Sequence, residues 1–122
     1  MVIDLDKLKP LNDTSGHAIG DQALRAVATA VTGQLRGPDL VARIGGDEFC
    51  AVLDGVDTDG AIQAAERIVR AVRDLNLRIT VSVGIATGPS AAIQDTQRRA
   101  DRAMYVAKGA GGDRTSTAPS PT

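Results

Sequence analysis

Asp39-Leu40-Val41-Ala42-Arg43-Ile44-Gly45-Gly46-Asp47-Glu48-Phe49-Cys50-Ala51-Val52-Leu53 organises the rest of the chain. Residues 39–44 and 48–53 read as strands. The glycine pair between them suits a tight reversal, because glycine allows φ > 0 at both central positions. On either side of this hairpin the apolar spacing changes to 3.6 residues. Over 18–35, Ile19, Ala23, Leu24, Val27, Ala28, Val31 and Leu35 share one helix face, which Gly37-Pro38 ends. Over 59–75, Ile62, Ala65, Ile68, Val69 and Val72 do the same, with Asp57, Thr58 and Asp59 as candidate N-caps. Beyond each helix lies one more strand. Val2-Ile3-Asp4-Leu5 is the first. In 78–86, Ile79, Val81, Val83 and Ile85 alternate with Thr80, Ser82, Gly84 and Ala86, the pattern of a half-buried strand. A short helix or turn fills 7–15, with Pro10 in its first turn and Ser15-Gly16 as breaker. A further helix spans 95–109 and closes at Gly109. The order is β-α-β-β-α-β plus a C-terminal helix. This predicts an α+β fold, a ferredoxin-like βαββαβ core with an antiparallel central sheet. Residues 1–110 form the predicted domain. Residues 111–122, rich in Gly, Ser, Thr and Pro, are expected to be a disordered tail.

Composition narrows the function classes. The chain has 122 residues, 43% of them apolar, enough for one modest core. Fourteen Lys and Arg against fifteen Asp and Glu leave a net charge of −1, unlike a protein held to nucleic acid by phosphate contacts. Aromatics at 2% offer no base-stacking platform. A single cysteine, Cys50, excludes an internal disulfide and suits a reducing cytosol, where it reads as a small buried hydrophobe. No apolar run reaches the ~20 residues of a membrane helix, and no signal peptide is discernible, so a cytoplasmic location is expected.

The chemistry-bearing residues are acidic and clustered. Asp47-Glu48 at the hairpin and Asp4-Leu5-Asp6 at the end of the first strand come from neighbouring strands of such a fold, so Asp4 and Asp47 are expected to meet at one sheet edge. Convergent carboxylates suit Mg²⁺, which takes one or two of them plus phosphate oxygens. Asp6 reads as the N-cap of the following helix. Lys9 lies close enough in sequence to neutralise charge developing on a phosphoryl group. His17, Asn12 and Asp21 each have an ordinary local role as loop, turn or first-turn helix residues. There is no Walker motif and no G-x-G-x-x-G.

Gly45-Gly46-Asp47-Glu48-Phe49 after Arg43-Ile44 resembles the signature of the GGDEF family, the bacterial diguanylate cyclases. Asp4-Leu5-Asp6-Lys7-Leu8-Lys9-Pro10-Leu11-Asn12-Asp13 resembles its D-x-D-x-F-K-x-x-N-D, and Gly16-His17-Ala18-Ile19-Gly20-Asp21 its G-H-x-x-G-D. Val81-Ser82-Val83-Gly84-Ile85-Ala86 and Ala100-Asp101-Arg102-Ala103-Met104-Tyr105-Val106-Ala107-Lys108 resemble its last strand and helix. The resemblance implies a nucleotidyl-cyclase-like palm. It also implies Mg²⁺- or Mn²⁺-dependent condensation of two GTP into cyclic di-GMP, with release of two pyrophosphates, at a homodimer interface. By the same resemblance Asp4, the Leu5 carbonyl and Asp47 hold the metal. Asp47 also accepts the proton, Glu48 assists at the metal site, and Lys9 stabilises charge in the transition state. Asn12, His17 and Asp21 contact guanosine, and Lys108 and Arg43 contact phosphates. Arg36 and Asp39 match the family's R-x-x-D, which binds cyclic di-GMP as inhibitor. A D-x-L-T-x-L-x-N-R segment precedes this region in the family, so a domain shortened at its N-terminus is expected. Leu8 stands where the family has Phe, and Gly112 where it has a phosphate-binding Arg. The rival expectation is an inactive GTP- or cyclic di-GMP-binding module, or a fragment.

Overall fold

The structure, a computed structural model, describes residues 1–120. Along the chain it runs β1 (Val2–Asp6), α1 (Leu8–Ser15), α2 (His17–Gly33), β2 (Leu40–Arg43), β3 (Glu48–Val52), α3 (Thr58–Arg73), β4 (Thr80–Ile85), a 3-10 turn (Ser90–Ala92), α4 (Ile93–Gly109) and β5 (Arg114–Thr117). The sheet order is β2-β3-β1-β4-β5, antiparallel except for the parallel β4–β5 pair. The α+β class, the βαββαβ order and the added helix follow the pattern in the sequence.

Alternation along β1 sends its side chains to two different layers. Ile3 and Leu5 join the main core with Val27 and Val31 of α2 and Ile68 and Val72 of α3. Each such fully buried side chain contributes about 1.5–3 kcal/mol relative to exposure, so this layer supplies most of the stability. Val2 faces the other way and packs with Ala100 and Met104 of α4. That second cluster is small. What brings α4 close is Gly84 in β4: a Cβ there would run into the Ala100 carbonyl and the Met104 backbone. At the start of α3 the Asp57 side chain accepts from the Gly60 N–H at 2.8 Å, the expected N-cap.

Five local expectations are corrected. The hairpin turn spans four residues, Ile44 to Asp47, and neither Gly45 nor Gly46 has a positive φ. The reversal is spread along a loop whose carbonyls at Gly45 and Gly46 are braced by the Arg43 guanidinium, at 3.0 and 2.6 Å. Helix α2 stops at Gly33, and Ile19 is 43% exposed, because the buried stripe runs through Gly20, Leu24, Val27 and Val31 and leaves Ile19 on its flank. Strand β4 is buried on both faces, since α4 covers Ser82 and Gly84. Cys50 faces the α4 side and is only half-buried. Finally, the segment expected to be a disordered tail contains β5. Arg114–Thr117 pairs with Ser82–Ile85, and the Ala118 N–H extends the ladder to the Ile85 carbonyl at 2.7 Å. Residues 121 and 122 lie outside the described residues.

Candidate active site

Asp4 and Asp6 lie on the same face of β1 as Val2, the face that α4 covers. Asp4 stands opposite Glu48 of β3 and Ser82 of β4. The Leu5 N–H donates to the Asp47 carbonyl at 3.0 Å, which carries the hairpin loop up to β1 and sets the Asp47 carboxyl beside that of Asp4. The expected meeting of Asp4 and Asp47 is therefore present, though at the end of the central strand β1 rather than at an edge of the sheet. Burial raises the Asp4 carboxyl above the usual carboxylate range, and Asp47 adds to this against the opposing charge of Lys108. Asp4 Oδ1 is buried and has no hydrogen-bond partner.

Glu48 points to α4, where it meets Asp101. Burial, the Asp101 carboxyl, and the charges of Asp4 and Asp47 push Glu48 up to about 7. Four carboxyl groups thus crowd one end of the sheet. Among the described residues, the cation paired with Asp4 there is Lys108 of α4. Its ammonium donates to the Leu5 carbonyl at 3.0 Å and lies 3.4 Å from both Asp4 Oδ1 and Asp6 Oδ1.

Asp6 is not a helix cap. Lys7 occupies that position, in a left-handed conformation and without a side-chain cap. The Asp6 carboxylate instead accepts from Thr80 Oγ1 (2.8 Å), Ser82 Oγ (2.7 Å) and the Asp113 N–H (2.9 Å). Burial opposes its ionisation, but these bonds and Lys108 outweigh that and hold it below the usual range. Gly112 lies against the same carboxylate at φ 73°, where a Cβ would strike it.

Next to Asp47 opens a cleft of about 450 Å³ between α1, α2 and the hairpin loop. Lys9, Asn12, His17, Asp21, Arg43 and Asp47 all line it, so six of the expected residues come together. Asn12 Oδ1 is buried without a partner and rests on Gly20, which has no side chain to displace it. Arg43 lines the cleft too, with its Nε and Nη2 donating to the loop carbonyls of Gly45 and Gly46. Glu48 and Lys108 belong to the acidic end rather than to the cleft lining.

Arg36 and Asp39 are apart from all of these, at the far end of β2 from the loop. They pair with each other: Arg36 Nη2 is 3.0 Å from Asp39 Oδ1, and it also donates to the Asp54 carbonyl at 2.8 Å. The pairing lowers the Asp39 carboxyl below its ordinary range. Sequence reasoning missed Asp101, Thr80, Ser82 and Asp113 as parts of this region. Two signals were available. Asp101 and Lys108 are seven residues apart, on one helix face. Thr80 and Ser82 are two hydroxyls at strand spacing, opposite an aspartate.

Comparison with known proteins bears on this arrangement. The family model described as "Diguanylate cyclase, GGDEF domain" matches residues 1–114. The chain is 34% identical over 126 aligned positions to the probable diguanylate cyclase DgcC of Escherichia coli, covering 97% of this chain and 34% of that protein. It thus spans about a third of that relative's length. Among solved structures, the GGDEF domain of YfiN (TpbB) from Pseudomonas aeruginosa superposes with a TM-score of 0.89 at 35% identity, over 98% of this chain and 81% of that one. The GGDEF domain of DgcB from Caulobacter crescentus, solved in complex with cyclic di-GMP, gives 0.85 at 33% identity, over 95% and 74%. Signature loop, sheet order and nearly complete coverage agree, and the chain belongs to the GGDEF-domain family of the diguanylate cyclases.

Proposed function

We propose that this domain condenses two GTP into cyclic di-GMP with release of two pyrophosphates, using a face shared by two copies of the chain. The observation that carries this reading is the junction of the cleft with the acidic end at Asp47. One side offers groups suited to a guanine nucleotide, the other hard oxygen atoms suited to a divalent cation. Asn12 Oδ1, buried and unpartnered, is an acceptor awaiting a donor, and the Asp21 carboxylate can accept from guanine N1–H and the N2 amine together. Lys9 places a cation where charge grows on the phosphoryl oxygens.

The residues fit Mg²⁺ or Mn²⁺. Asp4 has a buried carboxylate oxygen without a partner, the Leu5 carbonyl adjoins it, and Asp47 stands alongside. Among the described residues no three His, Cys, Asp or Glu side chains form a ready-made cage, and Mg²⁺ does not need one when substrate phosphates complete its shell. Asp4, the Leu5 carbonyl and Asp47 would hold the ion, which would neutralise the triphosphate and acidify the attacking hydroxyl. In the reaction, a 3′-oxygen bonds to the α-phosphorus of the other GTP while the bond to pyrophosphate breaks. Asp47 takes the hydroxyl proton. Glu48 assists beside the metal-holding oxygens, and Lys108 draws the phosphate tail. One cleft per chain holds one nucleotide, so two chains face each other. Product inhibition would act at Arg36 and Asp39, where cyclic di-GMP must first displace their mutual ion pair.

Incubating the concentrated chain with GTP and Mg²⁺ and detecting cyclic di-GMP by mass tests this. Wild type should form product and Asp47→Ala about a thousandfold less, and activity per chain should fall on dilution. Equal product from both proteins would overturn the reading. So would GTP binding without product, which would leave a nucleotide-binding module.

A further inference from the structure

The position of Lys108 suggests more than a phosphate contact. We propose that Lys108 is a built-in counter-cation: in the nucleotide-free domain its ammonium occupies the oxygen set of Asp4, the Leu5 carbonyl and Asp6, keeps divalent cations off that set, and leaves it when a polyphosphate draws the side chain outward. This rests on the reading of Asp4 and the Leu5 carbonyl as cation ligands.

The ammonium has three donors and faces three oxygens, at 3.0, 3.4 and 3.4 Å. They do not depend on it equally. Asp6 already receives three hydrogen bonds from Thr80, Ser82 and Asp113. Asp4 Oδ1 has no hydrogen-bond partner, and Lys108 at 3.4 Å is its sole ion-pair neighbour among the described residues. The oxygens best suited to a divalent ion are therefore those over which Lys108 lies. Two cations sharing the Leu5 carbonyl and Asp4 repel at short range in a partly buried setting.

The lysine is also free to leave. Its side chain is 36% exposed, whereas its neighbours on α4, Met104 and Ala107, are fully buried, so the root stays fixed while the flexible four-carbon stem swings. A polyphosphate supplies the better anionic partner. Metal and nucleotide then favour each other reciprocally: metal alone binds weakly, and nucleotide strengthens it by removing the competing ammonium.

Calorimetric titration of the metal-free, nucleotide-free chain with Mg²⁺ alone tests this without any turnover. Lys108→Met should bind Mg²⁺ about tenfold more tightly than wild type, at the low end of usual coupling between sites. Lys108→Arg, which keeps the charge, should stay within about threefold of wild type. Asp4→Asn should abolish binding in either background. Lys108→Gln repeats the measurement should the Met variant lack a cooperative melt. Unchanged or weaker binding in the charge-removed variants, with Asp4→Asn still abolishing it, overturns the counter-cation and leaves the metal site standing. Binding that survives Asp4→Asn, or its absence from every variant, overturns both.

Discussion

Asp4 and Asp6 sit two residues apart on one face of one strand, and they are equally buried, at 7% and 6% exposure. They nonetheless behave as opposites. Asp6 is surrounded by donors from β4, α4 and the segment before β5, and is held ionised below its ordinary range. Asp4 has a buried oxygen with no hydrogen bond, stands next to another carboxyl, and is raised above its ordinary range. A buried charge that folding has fully satisfied is a structural part. A buried charge left partly unsatisfied costs stability and is kept where a ligand completes it.

Substitution can break or sharpen that contrast. The largest effect is expected from Asp4→Asn, which should lower cyclic di-GMP formation by a thousandfold or so while leaving the urea midpoint unchanged or higher. A large loss of stability would place Asp4 with Asp6. Asp6→Ala should do the reverse. Removing one partner of a buried ionic network costs about 3 kcal/mol, read as a lower urea midpoint. Gly112→Ala strains a left-handed position and pushes a methyl group against Asp6, for roughly 2 kcal/mol, whereas Gly46→Ala meets nothing within 4 Å and should change the midpoint little. The smallest effect is a dependence on pH. Glu48 titrates at about 7 in the fold against an ordinary 4.5, so the native state binds the extra proton and stability falls as pH rises through that window. Glu48→Gln should therefore gain on wild type at pH 8 and match it at pH 4. Asp6 has the opposite sign, because its lowered value stabilises the fold above the ordinary range and that contribution disappears on acidification. Asp6→Asn should differ from wild type most at neutral pH and least in acid.

What could be read in the sequence was local in origin. The hairpin around Gly45-Gly46, the two stripes facing the main core and the alternation in β4 each arise within a window of some twenty residues. The meeting of Asp4 with Asp47 followed from topology, since the order of elements makes β1 and β3 neighbours. Asp6 was illegible for the complementary reason. Its partners Thr80, Ser82 and Asp113 lie 74, 76 and 107 residues away, while the nearby helix start offered a ready local explanation. Strand β5 was missed because Arg-Thr-Ser-Thr has no apolar alternation. It is ordered by the Asp113 N–H to Asp6 bond and the Arg73–Asp113 ion pair at 3.1 Å, both long-range. The small residues of β4 pointed to a wet face, whereas their smallness is what admits α4.

The position of β5 also bears on where this domain ends. Beside it in the sheet runs β4, buried from Val81 to Ile85 and carrying Val81, Val83 and Ile85. A chain cut after Gly109 would retain every element of the βαββαβ count and yet turn β4 into a long, apolar, unpaired edge, the kind of surface onto which other chains add strands. Four polar residues at the margin thus act as an aggregation guard. A fragment ending after Ala118 keeps the β4–β5 ladder whole, whereas one ending with the last helix does not.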